Sequence, residues 1–150
     1  MGATVEGEIG HVGDASADEG EQYTTAEEAQ SYAAATGVDA LAVAIGSAHG
    51  VYKKKPELNI ARLEEIRKNT DVPLVLHGGS GLSDEDFAAA IKAGISKVNV
   101  FTDLCLAGEG AMKEGLEKNL GYLKTRNLKV NAIKEAVKTK IRLFGSAGKA

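Results

Sequence analysis

The stretch Val72-Pro-Leu-Val-Leu-His-Gly-Gly-Ser-Gly81 decides the fold. A short run of valine and leucine bounded by turn residues reads as a strand buried on both faces, as in a parallel sheet. His77 then stands at the strand's C-terminal end, and the glycines behind it lead to Ser83, the N-cap expected for a helix carrying Phe87, Ala90 and Ile91. Upstream the same phrase occurs once more: Leu41-Ala-Val-Ala-Ile-Gly46 runs into Ser-Ala-His49-Gly50. Two imidazoles at the C-terminal ends of buried strands lie where barrel and open-sheet α/β enzymes keep their chemistry.

Working outward, strand-like and helix-like segments alternate. Val5 to Gly10 reads as a strand end, followed by an acidic loop through Thr24. Thr25-Ala-Glu-Glu28 has the form of a capping box and starts a helix over 26–36 that Gly37 ends. A strand follows at 39–46, then a helix at 60–69 with Ile60, Leu63 and Ile66 on one face, and the strand at 73–77. Gly94 stops the next helix, the last strand is placed at Lys97 to Phe101, and helices are expected at 103–118 and 128–143. The final helix carries Val130, Ile133, Val137, Ile141 and Phe144 as its buried stripe. No linker divides the chain, so residues 1–150 read as a single domain. A full (β/α)8 barrel takes ~250 residues, so this periodicity fits either half a barrel or a small doubly wound sheet.

Bulk composition excludes several classes of function. The 150 residues are 43% hydrophobic and 26% charged, with a formal net charge of −3, which gives no electrostatic ground for nucleic-acid binding. Lys53-Lys54-Lys55 is the one concentrated cationic run and reads as a solvated loop. No apolar stretch approaches the ~20 residues of a membrane span, and the polar N-terminus is unlike a secretory signal. The single cysteine, Cys105, cannot form an internal disulfide; within Leu104-Cys-Leu106 it reads as a small core residue, and the whole pattern suits the cytoplasm.

The chemistry-bearing residues form two groups. His49 and His77 are candidate zinc ligands, although a catalytic zinc usually takes three protein ligands. The turn Gly78-Gly79-Ser80 lies between a strand and a helix N-terminus, where glycines let amides face an approaching phosphate. Its structural reading is a tight turn needing glycine for its dihedrals. Asn99 and Thr102 interrupt the apolar end of the last strand, and the loops after a barrel's last two strands are the usual phosphate site.

Four motifs in order, Val5-Glu-Gly-Glu-Ile-Gly10, Ala44-Ile-Gly-Ser-Ala-His-Gly50, Pro73-Leu-Val-Leu-His-Gly-Gly-Ser-Gly81 and Lys97-Val-Asn-Val-Phe-Thr-Asp103, closely resemble the second half of class II, zinc-dependent ketose-bisphosphate aldolases. Lys140-Ile-Arg-Leu-Phe-Gly-Ser146 resembles the family's terminal segment. The resemblance implies the C-terminal half of a TIM (β/α)8 barrel, about four βα units plus a C-terminal helix. It implies reversible aldol cleavage of a ketose 1,6-bisphosphate, foremost fructose 1,6-bisphosphate, to dihydroxyacetone phosphate and glyceraldehyde 3-phosphate. It makes His49 and His77 two of three Zn2+ ligands, the metal polarising the substrate carbonyl. It assigns Gly50, Gly78, Gly79, Ser80, Asn99, Val100, Phe101 and Thr102 to the phosphate-bearing half of the substrate, Asn99 also to the carbon skeleton, and Glu8 to the metal's surroundings. Sodium or potassium is implied beside the phosphate.

The family's remaining histidine ligand and its catalytic aspartate lie in a first half without counterpart here. The acidic loop is short, with Asp14 read as solvated and Asp18 or Glu19 the nearest match to the loop acid; His11 falls where the family has no ligand. The chain alone is therefore expected to lack full activity and to need a homodimeric partner or a complementary half-barrel, since half a barrel leaves strand edges unpaired. The competing expectation is a non-catalytic half-barrel that binds phosphosugars or serves assembly.

Overall fold

The computed structural model describes residues 2–10, 23–50 and 56–149. The chain divides into two compact units, Met1–Val100 and Phe101–Ala150. The first contains β1 (Glu6–Ile9), α1 (Ala26–Thr36), β2 (Ala40–Val43), α2 (Ile60–Asn69), β3 (Leu74–Leu76), α3 (Asp84–Lys92) and β4 (Ile95–Val98). All strand pairs are parallel, and their order across the sheet is β1-β2-β3-β4. Each crossover therefore steps one strand in the same direction. A doubly wound sheet reverses direction at a switch point, whereas a barrel does not, so the strand order selects the barrel pattern.

Local chemistry sets the helix limits. Thr25 and Glu28 form the capping box of α1, with Gly37 in the left-handed region as its C-cap; Ser83 and Asp86 form the box of α3. The core is the row Leu41, Val43, Ile45, Leu74 and Leu76 packed with Leu63, Ile66 and Phe87, all fully buried. Thr24 ties two strand ends together beneath the site: its hydroxyl donates to the Ile9 carbonyl at 2.9 Å and accepts from the Ala44 amide at 2.9 Å. Among the described residues, Phe87 is the largest fully buried side chain. Phe87→Ala is expected to cost about 3–5 kcal/mol, read as a lowered midpoint in urea unfolding.

Two expectations are corrected here. The last strand begins at Ile95, not Lys97, and ends at Val98. Buried Ile95 pairs with Leu74, and a register shift between Leu74 and Val75 then sets Lys97 opposite Val75. Phe101, expected in that strand, is the N-cap of the next helix and is 76% exposed.

The second unit is a helical pair, α4 (Thr102–Glu117) and α5 (Gly121–Leu143). Helix α5 starts seven residues before the expected 128: Leu123, Lys124 and Arg126 are good helix formers, but Tyr122, Thr125 and Asn127 are not, and no local signal marks the earlier start. Lys140 pairs with Asp103 at 2.9 Å. The stripe expected to be buried is largely open: Val130, Val137 and Ile141 are exposed, while Ile133 and Phe144 are half-buried. Cys105 is also exposed rather than a core residue, because it lies on the outer side of α4 while Gly108 and Ala111 are buried. Among the described residues, no helix is long and apolar enough to cross a membrane.

Candidate metal centre and phosphate loop

Residues two apart on a strand share a face, so β1 presents Glu6 and Glu8 together. Glu8 aligns with Ala42 of β2, which aligns with Val75 of β3, opposite Lys97 of β4. This row leaves small side chains between acidic β1 and basic β4. His77, just beyond β3, fills the gap. Its Nε2 is 3.0 Å from Glu6 Oε1, its Nδ1 is 3.2 Å from Glu8 Oε2, and its side chain is only 14% exposed. Lys97 Nζ donates to Glu6 Oε2 at 2.7 Å. That hydrogen-bonded ammonium holds the Glu6 carboxyl below the usual carboxylate range, and His77 acts in the same direction against the effect of burial.

His49 comes from the loop after β2, and its ring lies 6.1 Å from that of His77, centroid to centroid, at 53°. Thus the two expected metal residues converge, with Glu8 beside His77. Among the described residues, no group of three or more His, Cys, Asp or Glu side chains could hold a metal ion. The donor chemistry nevertheless fits zinc in part: imidazole nitrogens are zinc ligands, and a carboxylate on a ligand's far nitrogen is the usual supporting arrangement.

The glycine turn packs against both neighbouring loops. Gly78 has φ +64°, and a Cβ there would strike the Ala48 carbonyl oxygen and lie 2.6 Å from its carbon. At Gly79 a Cβ would lie 2.7 Å from Val98 Cγ1 and 3.0 Å from the Asn99 carbonyl oxygen. The Gly79 amide donates to that carbonyl at 3.0 Å, and the Asn99 amide donates to the Leu76 carbonyl at 2.9 Å. These bonds tie the turn to Asn99 and commit the Gly79 amide within the protein, while the close approach of Gly78 to Ala48 sets the turn beside His49's loop. Ser80 is buried, and Gly50 has φ +98°. Asn99 is exposed and Val100 half-buried at the end of the first unit; Phe101 and Thr102 open the second. His11, Asp14, Asp18, Glu19 and Lys53 to Lys55 lie outside the described residues.

Three residues were missed as members of the site. Glu6 was signalled by its two-residue spacing from Glu8, whereas Lys97 becomes visible only once the β3–β4 register is known. Ser47, two residues before His49, is 6% exposed, and its hydroxyl has no hydrogen-bond partner among the described residues.

The fructose-bisphosphate aldolase class-II family matches residues 1–149, and the chain belongs to that family. It is 45% identical over 154 residues to the protein YdjI of Escherichia coli strain K12, covering 100% of this chain and 55% of that protein. It is likewise 45% identical over 159 residues to a sulfofructosephosphate aldolase of Alkalicoccus urumqiensis, again covering 100% of this chain and 55% of the relative. The crystal structure of the YdjI aldolase superposes with a TM-score of 0.86 at 42% identity, covering 99% of this chain and 52% of that one. A fructose-bisphosphate aldolase structure from Campylobacter jejuni, at 24% identity and a TM-score of 0.72, covers 96% of this chain and 52% of its own and bears on the fold alone. The chain thus spans about half the length of the curated relatives it matches, and its α/β fold with a parallel sheet is that of half an aldolase barrel.

Proposed function

We propose that this chain supplies two zinc ligands, His49 and His77, and the phosphate-holding loops of an enzyme that reversibly cleaves a phosphorylated ketose. The observation that carries the reading is the convergence of the two imidazoles, His77 with Glu8 beside it, next to the Gly78–Gly79 turn. Zinc, when bound, supplies Lewis-acid polarisation of the substrate carbonyl. The protein's own part is to orient His77 through its flanking carboxylates, to place Asn99 and Ser80 near the phosphate-bearing half of the substrate, and to pack the turn without side chains in the way. Fructose 1,6-bisphosphate is the substrate we favour, giving dihydroxyacetone phosphate and glyceraldehyde 3-phosphate, with sodium or potassium beside the phosphate and a cytoplasmic location. The sulfosugar-phosphate relative marks the chief competing substrate class.

Because the described residues include no group of three or more side chains able to hold a metal ion, we read the isolated chain as incomplete as a catalyst. A homodimeric partner or complementary half-barrel would complete it. The purified, zinc-supplemented chain is therefore expected to give no aldol cleavage of fructose, tagatose or sulfofructose phosphates in a coupled assay. Turnover that survives removal of host aldolase would overturn that view. A second reading, a non-catalytic phosphosugar-binding or assembly module, draws support from the open apolar stripe of α5. Phosphate binding without zinc binding in titration calorimetry would favour it.

A further inference from the structure

We propose that Lys97 and Glu6 are positioning residues for His77, fixing its ring so that Nε2 carries the proton and Nδ1 is the nitrogen offered to the metal, on the Glu8 side. The inference rests on the zinc reading above and deepens it.

A neutral imidazole has one N–H, yet His77 has a carboxylate oxygen at each nitrogen. The two carboxylates are not equivalent. Both oxygens of Glu6 are engaged, one by the Lys97 ammonium at 2.7 Å and the other by His77 Nε2 at 3.0 Å. The lysine thereby sets where Glu6 Oε1 can lie, and a fixed, charged acceptor selects the donor tautomer. A divalent cation at Nε2 would have to displace Glu6 and approach the Lys97 ammonium against like-charge repulsion. At Nδ1 the same cation meets Glu8, whose only ion-pair partner among the described residues is His77. Glu8 is also the more open of the two carboxylates, with its side chain 42% exposed against 29% for Glu6. Charge and access therefore point to the same nitrogen.

The test is nitrogen-15 NMR of the histidine rings in the full chain, first without metal at a pH where imidazole is neutral, then through a zinc titration. The metal-free ring proton of His77 is expected on Nε2, and zinc is expected to shift the Nδ1 resonance. A proton on Nδ1, or a zinc shift at Nε2, would overturn the assignment. Zinc that perturbs neither His49 nor His77 would sink the zinc reading instead, and the metal-free tautomer separates that failure from this one. Glu6→Ala is expected to scramble the tautomer and weaken zinc binding about 10–100-fold. Glu6→Gln, which keeps an acceptor, should restore the Nε2–H form, and Lys97→Met should shift both readouts in the direction of Glu6→Ala. Weaker zinc binding with an unchanged tautomer in Glu6→Ala would reduce Glu6 to a general structural role and overturn the proposal.

Discussion

Gly78→Ala is expected to destabilise the first unit by about 2–5 kcal/mol, and Gly37→Ala by only about 1–2 kcal/mol. The two glycines share a φ of +64°, so each replacement incurs the same left-handed penalty for an L-residue. They differ in what the new Cβ meets. At Gly37 there is nothing within 4 Å, whereas at Gly78 the methyl group falls on the Ala48 carbonyl, with the Ala48 nitrogen at 3.0 Å. Both obstacles are backbone, and the backbone there leads directly into His49. Relief can come only by pushing the β2 loop away from the β3 loop, which separates the two histidines. Urea unfolding of the two variants, followed by far-ultraviolet circular dichroism, measures the difference. Equal midpoints would show that the loops do not approach each other as described.

The same pair of loops shows how much of the molecule the sequence discloses. Helices α1 and α2 fall at 26–36 and 60–69 as read, because Thr25, Glu28 and Gly37 bound the first and the spacing of Ile60, Leu63 and Ile66 marks the second, local signals that need no tertiary context. The histidines were legible for a similar reason: each follows an apolar run and precedes glycine. Lys97 was not, because its partner Glu6 is 91 residues away and the contact depends on four strands lying in sequence order. The last strand was placed two residues late at its start and three late at its end, because its limits follow from pairing with β3, where Ile95 meets Leu74 across an irregular register that no local pattern marks. Helix α5 has the opposite difficulty. Its apolar period is clear, but period alone does not say whether the facing surface belongs to this chain. Among the described residues Val130, Val137 and Ile141 find no such cover, a state that fits a polypeptide spanning about half of its relatives.

Loss of zinc retention in both His49→Ala and His77→Ala is the second large effect expected, and the two variants probe different things. His49 is exposed, so its truncation opens no cavity in the core, and stability should change by no more than about 0.5 kcal/mol. His77 is mostly buried, and removing it leaves Glu6 and Glu8 facing across the gap. Lys97 still neutralises Glu6, however, so one of the cluster's three charge contacts is retained. If both imidazoles hold the same ion, either deletion removes the zinc measured by elemental analysis after dialysis, and the double variant is no worse than either single one. Such non-additivity is what residues sharing one partner display, whereas independent sites would lose metal in separate steps. Undiminished zinc in His49→Ala would remove that residue from the metal site and leave His77, Glu8 and the positioning pair as the centre around which a third donor must be found.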